Sequence, residues 1–295
     1  MDLKQLRVFV MVARHGSITR AAEAMHLTQP ALSLQLKALQ DAVGAPLFKR
    51  TPQGMELLAA GSSLLPYAEA VLSANDAFRS AAAQVSGQVS GRLHLGTILD
   101  PDFLRLGALL GLMLQRHPAV QTDVSHGISG WVLAQLRTGA LDMGFYLGQP
   151  DDERLEAAVL TPFNYRVVAP PAWQARVAGA GWNELAQLPW IWTPPESVHN
   201  RLLSAQFERV GATPRIAAQV DVEPSMLDLV KAGVGLSLVR ESVAIAQARD
   251  GHVALSDMAL GTELTLLCRR RDRDKPMIRA VFAVAEALWA APASR

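Results

Sequence analysis

The sequence predicts an α/β multi-domain chain: a winged helix-turn-helix head, a long linker helix, and a C-terminal body of alternating strands and helices. Three observations carry this reading. Residues 1–57 hold three short apolar stripes at helical spacing, each punctuated by cap signals. Residues 58–86 avoid strand formers in favour of alanine, and their apolar residues recur every seven positions. From Arg92 to the C-terminus, strand and helix patterns alternate.

The first helix is predicted over 3–14, from Leu3, Leu6, Phe9 and Val10, with Gly16 as its C-cap. The second, over 17–26, opens on Ser17 as N-cap and sets Ala21, Ala22 and Met25 on one face. Thr28 then caps a third helix with Pro30 in its first turn, where the missing N–H costs nothing. Ala31, Leu32, Leu36 and Leu39 form its buried stripe, and Gly44 ends it. A tight turn between the second and third helices is the helix-turn-helix layout. Leu47–Arg50 and Met55–Leu57 flank Thr51-Pro52-Gln53-Gly54 and predict a two-stranded wing. In the linker, Leu57, Leu64, Val71, Phe78 and Val85 form one seven-residue series, and Ala60, Tyr67, Ala74 and Ala81 follow three later. This spacing predicts a seam between two copies, with a helix lying on its own domain as the alternative, and the regular helix starting near Ser62 because of Pro66. Residues 87–91 read as a hinge.

Beyond it, strands are predicted at 92–96, 120–124, 141–147, 165–169, 189–192, 216–222 and 264–269, with helices at 102–116, 129–138, 196–210 and 226–232. Repeated βα units predict a largely parallel sheet, with ligands beyond the carboxyl ends of its strands.

Composition narrows the function. Half of the 295 residues are hydrophobic and 19% are charged, enough for packed cores. The apolar runs at 106–114 and around 280–293 are shorter than the ~20 residues of a bilayer crossing. The N-terminus lacks the apolar core of a signal peptide, so the reading is a soluble, cytoplasmic protein. A single cysteine, Cys268, excludes an internal disulfide and any multi-cysteine metal site. Net charge is +1, but residues 1–56 carry seven basic against four acidic residues, whereas 92–295 carry 20 against 21. A basic head on a neutral body is compatible with nucleic-acid contact.

The order of motifs resembles the LysR-type transcriptional regulators along essentially the whole chain. Gly16-Ser17-Ile18-Thr19-Arg20-Ala21-Ala22 and Leu27-Thr28-Gln29-Pro30-Ala31-Leu32-Ser33 lead, followed by Leu39, Gly44, Leu47-Phe48, Arg50 and Ala60-Gly61. His117-Pro118-Ala119-Val120, Gly127-Ile128-Ser129 and Leu136–Asp142 come next, then Val230-Lys231-Ala232-Gly233-Val234-Gly235. Two positions depart from the family pattern: Leu34 stands where it usually has arginine, and Leu57-Leu58 where it commonly has Leu-Thr. The resemblance implies a DNA-binding domain over 1–57, a dimerisation helix and hinge over 58–91, and a periplasmic-binding-protein-like effector domain over 92–295. In that domain the first lobe takes about 92–161 and 268–295, the second about 162–267. It further implies homodimers that pair into tetramers, double-stranded DNA with an interrupted palindrome, a small-molecule effector, and RNA polymerase as partners. Neither a cofactor nor a membrane enters.

For DNA, Gln29 can pair bidentately with adenine, and Ser33 can donate or accept at a base edge. Gln35 and Lys37 reach phosphate or a neighbouring base, and Thr28 and Pro30 set the helix start. Arg20, Arg50 and Thr51 are phosphate candidates, with Arg20 alternatively a partner of Glu23. For the effector, the strand-to-helix turns supply Ile98, Leu99, Asp100, Ser129, Thr193 and Ser197, where helix dipoles favour an anion. Asp100 is either the cap of the 102–116 helix or a cleft charge that repels an acid. Glu223 with Ser225, Tyr146, and the tryptophans Trp131 and Trp192 are further candidates, each with a packing role as the alternative.

Enzyme and solute-binding protein are the competing classes. The chain has no HExxH, GxSxG, GxxxxGK[ST] or GxGxxG, and Gly127-Ile128-Ser129-Gly130 misses the nucleophile-elbow spacing by one residue. Cys268 sits in a predicted strand as a small hydrophobe. The head and the missing signal peptide argue against a solute-binding protein.

Overall fold

The computed structural model describes residues 1–25, 27–52, 54–85, 89–98 and 100–290, without the side chains of 73, 76, 77 and 79–85. It forms two compact units, Met1–Gly87 and Gln88–Arg295. No described helix is long and apolar enough to cross a membrane.

The first unit contains α1 (Leu3–His15), α2 (Ile18–Ala24), α3 (Gln29–Val43), β1 (Phe48–Thr51), β2 (Gly54–Leu57) and α4 (Ala59–Val85). Local chemistry sets each boundary. Asp2 accepts from the Gln5 N–H at 2.9 Å while the Gln5 side chain accepts from the Asp2 N–H at 3.0 Å, a reciprocal cap on α1. Ser17 and Thr28 cap α2 and α3 by accepting from the N–H groups of Arg20 and Ala31, each at 3.4 Å. Gly44 ends α3 in the left-handed conformation. Phe9, Val12, Leu32, Leu36, Leu39 and Leu47 are buried together, and Phe9 meets Phe48 edge to face at 5.6 Å. The wing folds back on the α1–α2 corner, where Gly16 (φ 59°) passes its carbonyl to the Met55 N–H at 2.8 Å. A Cβ on Gly54 (φ 135°) would stand 2.2 Å from that same carbonyl oxygen, so only glycine fits.

Two expectations for the linker are corrected. The helix begins at Ala59, before Ser62, and holds Pro66 within it. Its early turns are held by Leu58, whose N–H donates to the Leu47 carbonyl at 2.9 Å, and by packing of Ala60, Leu64, Leu65, Ala68 and Leu72 on the core. For the same reason Leu57, Ala60 and Leu64 face their own unit instead of a second copy. Tyr67, Val71, Ala74 and Phe78 remain exposed, while the side chains of Ala81 and Val85 fall outside the described residues.

The second unit runs β3 (Gly91–Thr97), α5 (Leu106–Arg116), β4 (Val120–His126), α6 (Ser129–Thr138), β5 (Met143–Leu147), β6 (Leu155–Ala169), α7 (Gln174–Val177), α8 (Trp182–Ala186) and β7 (Pro189–Trp192). It continues with α9 (Val198–Arg209), β8 (Arg215–Gln219), α10 (Glu223–Lys231), β9 (Ser237–Arg240), α11 (Glu241–Arg249), β10 (Ala254–Arg269) and α12 (Pro276–Ala290). A six-stranded sheet has the order β4-β3-β5-β10-β6-β9, and β7 pairs with β8 in a parallel two-stranded sheet.

The sheet is mixed, which corrects the expectation of a largely parallel one. β3 runs parallel to β4 and β5, but β10 is antiparallel to β5 and β6, and β6 to β9. The cause is connectivity: β6 and β10, of 15 and 16 residues, carry the chain out to the second half of the unit and back. Leu264–Cys268 pair with β5, so β10 re-enters the first half at about 264, ahead of the expected lobe boundary at 268. The helix expected from 102 starts only at Leu106, because Asp100 (φ 75°) and Arg105 (φ 46°) take left-handed conformations around an intervening turn.

Replacing Gly54 with alanine is expected to destabilise the head by roughly 1–3 kcal/mol through backbone strain. Thermal unfolding of Gly54→Ala beside the wild-type chain measures it, and equal melting would remove the wing-to-corner contact from the account.

Candidate functional site

The head presents one face of α3. Its stripe Leu32, Leu36 and Leu39 is spent on the core, which turns Gln29, Pro30, Leu34 and Lys37 outward and leaves Ser33 and Gln35 half-buried. Thr28 is exposed with its hydroxyl committed to the cap. Arg20 on α2 and Arg50 on β1 are exposed. Thr51 is half-buried, its hydroxyl donating to the Gly54 carbonyl at 3.3 Å inside the wing turn.

In the second unit the strand ends and helix starts converge on a cleft. Its walls are Ile98, Asp100 and Phe103 after β3; Gly127, Ile128 and Ser129 entering α6; Leu147 ending β5; and Tyr165 on β6. Thr193, Ser197, Val198 and His199 enter α9, Asp221, Glu223 and Met226 enter α10, and Arg240 ends β9. The enclosed volume is about 60 Å³. Three helix N-termini thus face one crevice beyond strand ends, where βα architecture places ligands.

Of the residues expected there, Ile98, Asp100, Ser129, Thr193, Ser197 and Glu223 line the cleft, and Leu99 lies outside the described residues. Tyr146 and Ser225 are not among the residues that line the cleft. Tyr146 is buried in the core with the Arg201 guanidinium 4.9 Å from its ring, and Ser225 is exposed on α10 away from the lining. Trp131 and Trp192 also pack in the core; Trp131 lies so close to Gly127 that a Cβ there would meet its ring at 2.3 Å. Sequence reasoning missed Phe103, Tyr165, His199, Asp221 and Arg240. Arg240 had one signal, a cation directly after the buried apolar run Leu238-Val239.

Asp100 does not cap the following helix; it stands in the cleft wall, with its charge paired. Arg105 precedes α5 in the capping position, and Asp100 Oδ1 instead accepts the Phe103 N–H at 3.0 Å. Its other oxygen pairs with the Arg240 guanidinium, which also stacks 4.4 Å over the Phe103 ring. This ion pair joins the first half of the unit to the second. From Phe103 aromatic contacts run through Phe163 (4.8 Å) and Tyr165 (5.2 Å) to His199 (4.6 Å).

Burial sets the charge states. It lowers the Arg240 pKa and raises that of Glu223, whose carboxylate receives a weak Arg240 N–H at 3.5 Å. Burial, reinforced by Glu223, raises the Tyr165 phenol well above its ordinary value. His199 is held down at about 4 by burial, so it is neutral at pH 7, and its Nε2 has no hydrogen-bond partner among the described residues. The Thr193 and Ser197 hydroxyls bond each other, Ser197 caps α9 by accepting from the Asn200 N–H at 3.1 Å, and Ser129 accepts from the Leu147 N–H at 3.4 Å. The Cys268 thiol is buried and pushed up to about 12, which disqualifies it as a nucleophile. Among the described residues no cluster of three or more His, Cys, Asp or Glu is arranged for a metal.

A winged helix-turn-helix joined to a ligand-type cleft defines a DNA-binding regulator with a sensor domain. The comparisons make this specific. Residues 3–62 match the bacterial regulatory helix-turn-helix protein, lysR family, and residues 86–290 match the LysR substrate binding domain. The chain belongs to the LysR family of transcriptional regulators. It is 29% identical over 260 residues to a RuBisCO operon transcriptional regulator of Acidithiobacillus ferrooxidans, covering 87% of this chain and 83% of that one. It is 29% identical over 300 residues to the HTH-type transcriptional regulator IlvR of Caulobacter vibrioides, covering 99% of this chain and 100% of that one. In fold it is similar to full-length CbnR complexed with its target DNA (TM-score 0.64, 23% identity), covering 98% of this chain and 100% of CbnR.

The buried neutral histidine has a consequence for pH. A folded-state value near 4 against an ordinary 6.5 means that the unfolded chain binds the proton first, so stability falls as pH drops from about 6.5 towards 4. The loss is about 3 kcal/mol. Glu223 works in the opposite sense, because its raised value makes its charge a cost that acid relieves. The clean readout is therefore the difference between the wild type and His199→Phe in urea unfolding at pH 7, 5 and 4. The variant is expected to have the shallower acid slope; parallel curves would mean that His199 is solvated.

Proposed function

We propose that this regulator reads an interrupted palindrome with two copies of α3 and that a small molecule in the cleft sets the affinity or geometry of that binding. The observation that carries the reading is the division of α3. Its apolar stripe is consumed by the core, so Gln29 and Ser33 are offered to base edges and Lys37 to phosphate or a neighbouring base. Thr28 and Pro30 fix the helix start, Gln35 lies on its flank, and Arg20 and Arg50 are placed for phosphates. Thr51, with its hydroxyl engaged in the wing, contributes through the backbone position it sets.

The second copy is held through the exposed apolar residues Tyr67, Val71, Ala74 and Phe78 of α4, and dimers pair further into tetramers. The protein works on DNA in the cytoplasm, with RNA polymerase as a further partner, and it binds its effector without chemical conversion. A cavity of about 60 Å³ is smaller than the ~150 Å³ apolar cavity that admits benzene. Asp100 and Arg240 stand paired in the cleft wall, and a ligand that binds one packing of the two halves better than another shifts the regulator between them.

Two measurements test this. Gln29→Ala is expected to lose about 1–3 kcal/mol of specific DNA binding while random DNA binds nearly as before. Fluorescence anisotropy on a selected site and on random duplex separates the two, and equal losses would take Gln29 out of the readout. Phe78→Glu places a charge on the exposed stripe and is expected to halve the assembly in sedimentation velocity. An unchanged sedimentation coefficient would remove α4 from the interface.

A further inference from the structure

One exposed side chain on the reading face of α3 has no part in that polar readout. Leu34 is 66% exposed, and the inward stripe Leu32, Leu36 and Leu39 closes without it. It lies one turn after Pro30 and Ala31 and one turn before Lys37, all exposed, so the four share a face of the helix. A lone surface leucine needs no explanation in general. This one stands in the N-terminal half of the recognition helix, the half that reaches base edges when such a helix enters the major groove.

The groove offers an aliphatic side chain little to recognise. Its base edges consist of hydrogen-bond donors and acceptors, with one apolar group among them, the C5-methyl of thymine. Against a donor or an acceptor, leucine would strip water and return no hydrogen bond. Against the methyl, it removes apolar surface on both sides from water. Gln29 and Ser33, one turn apart on the flank of the same exposed surface, hold the polar contacts that fix its register.

We propose that Leu34 is a specificity-determining residue that reads a thymine methyl in each half-site by apolar contact. This deepens the DNA-binding reading above and rests on it. An arginine at this position would seek the O6 and N7 atoms of guanine or a phosphate. With Leu34 the same position of the half-site selects thymine by its methyl, and the ion-releasing contact of a cation is lost.

The test uses the full chain. Bound duplexes are first selected from a random pool, and each thymine of the enriched half-site is then replaced singly by deoxyuridine, which removes only the methyl. Wild-type affinity is expected to fall about fourfold at one thymine, and about fifteenfold when that position is changed in both half-sites. In Leu34→Ala the penalty at that position disappears while the penalties at other positions stay. Leu34 is exposed, so the variant keeps its core, and an unchanged melting temperature verifies this. If no thymine shows a uracil penalty that vanishes in Leu34→Ala, the inference is overturned. If the pool yields no enriched sequence at all, the DNA-binding reading fails and the inference falls with it.

Discussion

The antiparallel ladder between β6 and β10 is the constraint on which the second unit depends. It runs from Leu155 opposite Arg269 to Ala169 opposite Ala254, and its register shifts at Leu264/Thr265 and Leu255/Ala259. Because both strands are longer than either half of the unit needs, each belongs to both halves. The two halves therefore share backbone hydrogen bonds that neither can lose without unpairing buried groups. What can change is the packing on either side of this ribbon. The cleft sits there, with Tyr165 of β6 and the Asp100–Arg240 pair in its wall.

That pair links the two halves of the unit. Arg240 is nearly buried, stacked on Phe103, and its charge is compensated by one carboxylate held at a left-handed backbone position. Separating two such groups leaves a poorly solvated cation, a cost that a bound molecule must offset. Among the described residues, two groups of the wall keep hydrogen-bonding capacity: His199 Nε2 has no partner, and Glu223 receives a long N–H bond. A small molecule that meets these groups in one arrangement of the halves and not in another has the differential affinity a regulator needs.

Much of this was legible in the sequence because local chemistry dictates it. The three head helices follow from caps that act within three residues, Ser17 and Thr28 at the starts of α2 and α3 and Gly16 and Gly44 at the ends of α1 and α3. The turns that enter α6 and α9 are equally local, and the Ser129, Thr193 and Ser197 they carry stand in the cleft wall. What escaped was non-local. The first halves of β6 and of β10 are mostly half-buried or exposed, so their pairing appears only when both strands are placed. Arg240 and Asp100 are 140 positions apart, and no pattern in either neighbourhood announces the other. The direction of the α4 stripe was misjudged at Leu57, Ala60 and Leu64 because a heptad does not say which core it faces.

The proposed link between the cleft and DNA binding is tested by a double-mutant cycle read on DNA. Affinity for a selected site is measured for the wild type, Asp100→Asn, Arg240→Gln and the double variant, with thermal unfolding in parallel. The account predicts that each single variant shifts DNA affinity at least about threefold in the same direction and that the double variant goes no further than a single one. Unchanged DNA affinity in all three, together with lowered melting temperatures, would reduce the pair to a structural clasp and contradict the claim.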